Sequence, residues 1–466
     1  MKLHRKAGYS VLLALALLSP LSAQSGAAAD AVSKVTATFY GDAETAKGFT
    51  WYTAPASDGS DLQVVEKTKA APDFSKALTF TGTRSASTHP VSFPRETVHK
   101  AEASGLKPGT AYYFRVGDAK LGLWSGDGTF RTAPPSGAFT FIDLTDTQAA
   151  NEEESILSSA TIAKAFATVP DAGFLAVNGD IVDNGSSEKQ WGWLLGHAQG
   201  SLMNTTILPA AGNHELQRNS FIEHFDLKTP PGSRTYTGAY YSVDYVNAHF
   251  IVLNTNETSL TYADFSRAQA KWLKADAAAA RARGAKWLIV LMHKGPYTTS
   301  SHATDTDING WRGVRTRVAP MLEKLGVDLV LQGHDHIYAR TRPIKEDGTA
   351  AAPFKRAEVL NGEKIDYEVD PKGTIYLIPA TAGPKTYYRN KKLRPDFYRL
   401  FEHAEENHAA AYGPEGSWGR SVRGQIQNFT AVTIDGAKLT AVSYEINQSS
   451  NNARPYVIDQ FGIIKE

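Results

Sequence analysis

The chain has no cysteine among its 466 residues, which excludes disulfide staples, thiolate catalysis, cysteine-linked lipid anchors and sulfur-built zinc sites. Any metal must be held by His, Asp, Glu, Asn or Gln. An excess of one charge is also missing: 49 basic residues face 48 acidic ones, and Lys2, Arg5 and Lys6 sit at the extreme N-terminus. No block of like charge offers a grip on a nucleic-acid backbone or a membrane surface, so neither partner is implied. Long apolar runs are absent after the first two dozen residues, whereas a membrane-spanning helix needs about 20 apolar residues. What remains, 42% hydrophobic and 21% charged, is the composition of a folded globular protein, long enough for two or three domains.

Residues 1–29 form a leader of recognisable kind. Lys2, Arg5 and Lys6 precede the apolar run Val11 to Leu18, after which Pro20, Ser22, Ala23 and Ala27 to Ala29 offer cleavage sites. This is the pattern of a secretory signal peptide, so a secreted protein, extracellular or periplasmic, with no membrane span after cleavage is expected. Residues 30–133 contain short Thr-, Val-, Tyr- and Phe-rich stretches, such as Val35 to Tyr40 and Tyr112 to Val116, separated by turn clusters at Asp58 to Ser60 and Lys107 to Thr110. That spacing predicts a small antiparallel β-sandwich. Residues 134–138, opening Pro134-Pro-Ser-Gly137, read as a stiff linker.

From residue 139 to 466 the pattern is α/β: buried apolar runs alternate with helical stretches at Ser155 to Val169, Phe265 to Arg283 and Val314 to Leu325. The residues just after each apolar run carry the chemistry, because ligands in open α/β sheets bind at the carboxyl ends of strands. The run ending at Ile142 leads to Asp146-Thr-Gln148, and that ending at Val177 leads to Gly179-Asp-Ile-Val-Asp183. Later runs lead to Gly212-Asn-His-Glu215, to His293 and to Gly333-His-Asp-His336. Five strand ends thus deliver imidazole, carboxylate and amide groups, a donor set suited to iron, zinc or manganese.

The passage Gly105 to Gly117, with Trp124 and Phe130 to Pro134, resembles the closing strands of a fibronectin type III-like domain. The five strand-end blocks resemble, in order, those of the calcineurin-like metallophosphoesterases, and with the sandwich in front the chain resembles the purple acid phosphatase arrangement. The resemblance implies two mixed sheets flanked by helices, an αββα sandwich, with two metal ions at one end. It implies Asp146 and His336 on the first ion, Asp180 bridging both, and Asn213, His293 and His334 on the second. His214 then stands as a catalytic hydrogen-bond donor rather than a ligand. Two departures stand out. The metal-binding tyrosine of the purple enzymes is replaced by Asp183, a loop-ordering residue in this reading, which predicts a colourless protein. The first-ion histidine found in relatives without that tyrosine is replaced by Gln148, an amide that can ligate or act as a hydrogen-bond partner.

The function expected is hydrolysis of a small phosphate ester, most readily a monoester, by in-line attack of a hydroxide held between two ions. A phosphodiesterase or nucleotide hydrolase would use the same ligands, and a surface-binding protein with a degenerate metal site is a further alternative. No Gly-x-Ser-x-Gly elbow and no phosphate-binding Gly-x4-Gly-Lys loop is present. Lys294, Tyr297 and His302, after the His293 strand, and His197, after the Asp180 loop, are candidate substrate contacts. His249 is expected to be structural, and residues 387–423 are long enough to form a lid or specificity loop.

Overall fold

The computed structural model describes residues 32–88, 95–215, 220–257, 259, 263–404, 418–420, 426–448 and 453–466. The expected leader at 1–29 and much of the expected 387–423 insertion lie outside them.

Two sheets face each other across the main core. One has twelve strands, with Phe139–Leu144, Leu175–Val177 and Ile207–Pro209 adjacent and parallel near its middle. The other has seven, and its parallel heart is Ala248–Leu253, Trp287–Lys294, Leu329–Gly333 and Ile375–Pro379. Strand periodicity of two explains how the second sheet serves two cores. In Trp287–Lys294, Trp287, Ile289 and Leu291 join the cluster between the sheets, whereas Leu288, Val290 and Met292 join the outer cluster. That outer cluster is completed by Leu273, Ala277 and Ala280 of the helix Arg267–Ala282. On the other side, the helices Glu152–Thr168 and Glu188–His197 cover the twelve-stranded sheet with Ile162, Leu194 and Leu195.

The helix ends follow from sequence. Asn151 caps Glu152–Thr168 by accepting the Glu154 N–H at 3.0 Å, and Glu152, Glu153 and Glu154 oppose the positive end of the helix dipole. The helix expected over Val314 to Leu325 is two pieces, Val314–Arg317 and Ala319–Lys324, because Pro320 lacks the N–H to continue the first and suits the opening turn of the second.

The N-terminal strands form a sandwich around Phe49, Trp51, Leu62, Val64, Phe114 and Phe130. One of its layers is continuous with the sheet that holds Phe139–Leu144, Leu175–Val177 and Ile207–Pro209. Ser33–Thr38 pairs in parallel with Ile207–Pro209, Thr38 opposite Ile207, so the twelve-stranded sheet runs through both parts. The Gln199 side chain extends the pairing, accepting the Val35 N–H at 3.0 Å and donating to the Val35 carbonyl at 2.9 Å. His249 is structural: it is buried and joins Asp244 at 2.6 Å to Asp276 of the covering helix at 2.8 Å.

Candidate metal centre

Five loops leave the carboxyl ends of the central strands of both sheets and meet over the gap between them. Their backbones turn sharply. Asp146, Gln148, Asp180 and His334 all adopt positive φ, between 32° and 73°, a region costly for residues with a side chain and common where a site fixes its geometry. Two glycines permit the approach of neighbouring loops. A Cβ on Gly212 would lie 2.2 Å from Asp180 Oδ1, and one on Gly333 would lie 2.2 Å from Thr145 Oγ1 and 2.9 Å from Asp146 Oδ2.

Asp146 is fully buried. Its Oδ2 accepts the Thr145 hydroxyl at 2.6 Å and the His334 N–H at 3.1 Å, while Oδ1 lies 3.1 Å from His336 Nε2. Asp180 Oδ1 accepts the His214 N–H at 2.8 Å, and Oδ2 lies 3.1 Å from His293 Nε2. Asn213 Oδ1 is 3.0 Å from the same His293 nitrogen. Donor atoms of Asp180, His293 and His334 all lie within 4.8 Å of one another. Gln148 is buried beside them, its backbone N–H donated to the Asp180 carbonyl at 2.9 Å.

The protonation pattern tests whether a cation fits. A carbonyl can only accept, so His293 must donate from Nδ1 to Asn178 O at 2.8 Å, and His336 from Nδ1 to Lys385 O at 2.6 Å. Both rings therefore turn Nε2 towards carboxylate oxygens, the orientation that a backbone acceptor imposes on metal-ligating histidines. In the neutral ring that atom would set a lone pair against the carboxylate, which repels unless positive charge, a proton or a metal cation, lies between. The electrostatics call for that charge. Burial alone would lower the His293 pKa, yet the Asp180 carboxylate outweighs it and holds the ring up at about 9. Burial would raise Asp180, but His293 and His214 hold it far below the usual carboxylate range. His334 differs: burial, and then the charges of His302, Lys294, His293 and His336, push it well below its ordinary value and leave a neutral ring with a free lone pair. Two carboxylates, three imidazoles and an amide at one buried locus form a donor set fitted to cations.

His214 sits beside this cluster and is partly exposed. Its Nδ1 donates to the Asp183 carbonyl at 2.5 Å, and Nε2 faces the locus 3.9 Å from Asp180 Oδ2. The Asp183 main chain, rather than a bond from its carboxylate, holds the ring, the two side chains standing 3.9 Å apart.

The other candidate contacts separate. His302 lies at the locus, stacked on His334 with centroids 4.0 Å apart. Lys294 is buried and its ammonium is bound to Asp307 at 3.0 Å, close enough to His334 to depress its basicity. Tyr297 is placed elsewhere: its ring packs in the outer core, 4.6 Å from Tyr376, because its strand-end position points it beneath the loop. His197 is also away from the locus, at the end of Glu188–His197, where it pairs with Glu152 at 3.1 Å.

Two residues that sequence reasoning gave no role belong here. Glu215 is fully buried, and its carboxylate accepts the backbone N–H groups of Asp180 (2.8 Å), Ile181 (2.6 Å), Val182 (3.3 Å) and Gly212 (2.7 Å). It locks the Asp180 loop to the Asn213 loop. Burial and the neighbouring Asp180 push its pKa up to about 7. Its place directly after Asn213-His214 was the available signal. Tyr387 packs its ring 4.6 Å from His336 and 5.5 Å from His302, and burial followed by the nearby carboxylates keeps its phenol protonated.

Comparison with known proteins bears on this arrangement. Residues 144–338 match the family model for calcineurin-like phosphoesterases, and residues 32–132 match that for the purple acid phosphatase N-terminal domain. The chain is 22% identical to purple acid phosphatase 15 of Arabidopsis thaliana over 61% of this chain and 53% of that protein. It is 27% identical to human acid phosphatase type 7 over 61% of this chain and 64% of that one. It thus spans less than two thirds of the length of either relative. Among solved structures, purple acid phosphatase PPD1 from yellow lupin seeds superposes with a TM-score of 0.71 at 16% identity, covering 94% of this chain and 75% of that one, a likeness of fold. Residues 144–338 thus form a calcineurin-like phosphoesterase domain, preceded at residues 32–132 by a domain of the purple acid phosphatase N-terminal type.

Proposed function

We propose that this protein is an exported, binuclear metal-dependent phosphoric ester hydrolase, acting on small phosphomonoesters. The observation that carries the reading is the turning of His293 and His336 Nε2 onto the oxygens of Asp180 and Asp146, with Asn213 and His334 closing the same locus. Asp146 and His336 would hold one ion, Asn213, His293 and His334 the other, and Asp180 both, with Gln148 beside the first. Iron, zinc or manganese suit these donors. When bound, such ions supply Lewis acidity to the phosphoryl group and lower the pKa of water towards neutrality.

The chain's own groups do the rest. Asn178 and Lys385, through their carbonyls, fix the tautomer and orientation of two ligand rings. His214 is held from Nδ1 and from its backbone N–H with Nε2 turned to the locus, where the ring in its imidazolium form would donate to a phosphoryl oxygen and protonate the departing alkoxide. His302, stacked on His334, faces the same side as a second substrate contact. Export is supported by the basic and apolar pattern of residues 1–29, and no helix among the described residues is long and apolar enough to cross a membrane.

The test pairs elemental analysis of the purified protein with parallel rates on p-nitrophenyl phosphate and its bis ester. About two metal ions per chain and faster turnover of the monoester support the proposal. A faster diester moves the substrate class to diesters. Absence of both metal and turnover of either ester overturns it in favour of a binding protein.

A further inference from the structure

In the loop Gly333-His-Asp-His336, two histidines turn to the metal locus and the residue between them turns the other way. Asp335 is fully buried, and its Oδ2 accepts the Thr298 hydroxyl, while Oδ1 has no hydrogen-bond partner among the described residues. Thr298 Oγ1 in turn accepts the Ser300 N–H at 3.2 Å. The far side of this loop is clasped by the segment after Tyr387: Ser300 Oγ donates to the Tyr388 carbonyl at 2.8 Å, and the Asn390 N–H donates to the Thr299 carbonyl at 2.9 Å. At the end of the clasped stretch the His302 ring lies on His334 with 29° between planes, its Nδ1 2.6 Å from Asp305 Oδ2.

We infer that Asp335 is the positioning residue for His302, tying the loop that faces substrate to the loop that holds metal. The inference rests on reading His302 as a substrate contact. The geometry favours it over simple packing. A side chain that only filled space between two ligand histidines would not need a carboxylate, since burying one is costly unless donors meet it. Here the donor is the Thr298 hydroxyl, whose oxygen in turn accepts the N–H of Ser300, the residue that opens the turn Ser301–Thr304 carrying His302. A shift of His302 by a fraction of an ångström would leave the metal ligands untouched and misplace the group meeting the phosphoryl oxygens.

A double-mutant cycle tests this with Asp335→Val, Asp335→Asn, His302→Ala and the combinations. Three quantities are read: KM and kcat on p-nitrophenyl phosphate, affinity for inorganic phosphate by calorimetry, and metal per chain. Asp335→Val should lower kcat/KM and phosphate affinity by about 10- to 100-fold with metal content unchanged. Asp335→Asn, which keeps one acceptor oxygen, should recover most of that loss. In the His302→Ala background neither change should cost more than about twofold, because the residue acted upon is gone. Loss of metal in Asp335→Val, or an equal loss in the presence and absence of His302, would overturn the inference. Should Asp335→Val fail to fold, Asp335→Asn in the same cycle decides on the same criterion. A wild-type protein that binds phosphate but turns over no ester refutes the proposed activity, while the phosphate-affinity cycle still judges Asp335.

Discussion

Glu215→Gln is the sharpest probe of how the centre is built. The carboxylate receives two backbone N–H groups on each oxygen, Ile181 and Val182 on Oε1, Asp180 and Gly212 on Oε2. The amide is nearly the same size but keeps only one acceptor oxygen and sets an NH2 group against the other pair of donors. Two buried donors left unmet cost about 1–3 kcal/mol each, or roughly 2–6 kcal/mol. Burying a neutral amide is cheaper than burying a carboxylate whose pKa is already pushed up to about 7, so part of that loss is returned. A net destabilisation of about 3 kcal/mol is expected. It should fall on the two loops that carry Asp180 and Asn213. Metal affinity should therefore drop about 10- to 100-fold, the usual consequence of removing a group that orients ligands. Titration of the apo-protein with zinc or manganese, together with urea unfolding, measures both effects. Wild-type metal affinity and wild-type unfolding in Glu215→Gln would refute the reasoning, since Glu215 would then be a bystander.

If the proposed ions are bound, chelation should lower the unfolding midpoint, because binding that favours the folded state is lost, and adding metal back should restore it. Asp180→Asn should lose metal and most turnover, whereas His214→Ala should keep metal and lose about 10²- to 10⁴-fold in rate; elemental analysis beside kinetics separates them. Lys47 is wholly buried over the Phe39 ring with no hydrogen-bond partner for its ammonium among the described residues, and burial lowers its pKa from 10.5 to about 7. The folded chain therefore holds fewer protons than the unfolded one between those values, so stability from this group rises with pH across that window. Lys47→Met should be more stable at pH 7 by up to about 5 kcal/mol and lose that rise, as urea unfolding at pH 7 and pH 9 will show. His197→Ala should leave kcat/KM within about twofold of wild type, its partner being an exposed surface carboxylate.

That the side chains of the locus converge was legible in the sequence because each follows an apolar strand, and strand ends in such a fold point one way. The choice of Asp146, Asp180, Asn213, His293, His334 and His336 as proposed ligands came from the family resemblance of those strand-end blocks. What strand logic could not supply was the direction of side chains beyond the ligands. Tyr297 and His302 stand five residues apart after the same strand, yet one enters the core and the other reaches the locus. Glu215 and Asp335 were in plain view within the motifs, but their partners are backbone N–H groups and a hydroxyl from distant loops, which leave no mark on local sequence. The linker pattern at residues 134–138 likewise suggested two bodies, and the pairing of Thr38 with Ile207, 169 positions away, is invisible to composition.

The shared sheet sets limits on how the molecule can be cut or moved. The strand Ile207–Pro209 leads directly into the Asn213 loop, and Ser33–Thr38 is what lies along its outer side. Deleting the first hundred residues would strip that neighbour away, leaving bare amide and carbonyl groups on a strand that feeds the catalytic locus and inviting edge-to-edge association. A phosphoesterase fragment lacking the front part is thus a poor truncation target. The front sandwich, for its part, cannot swing as a tethered arm that ferries substrate; it is a fixed wall on which the chemistry leans.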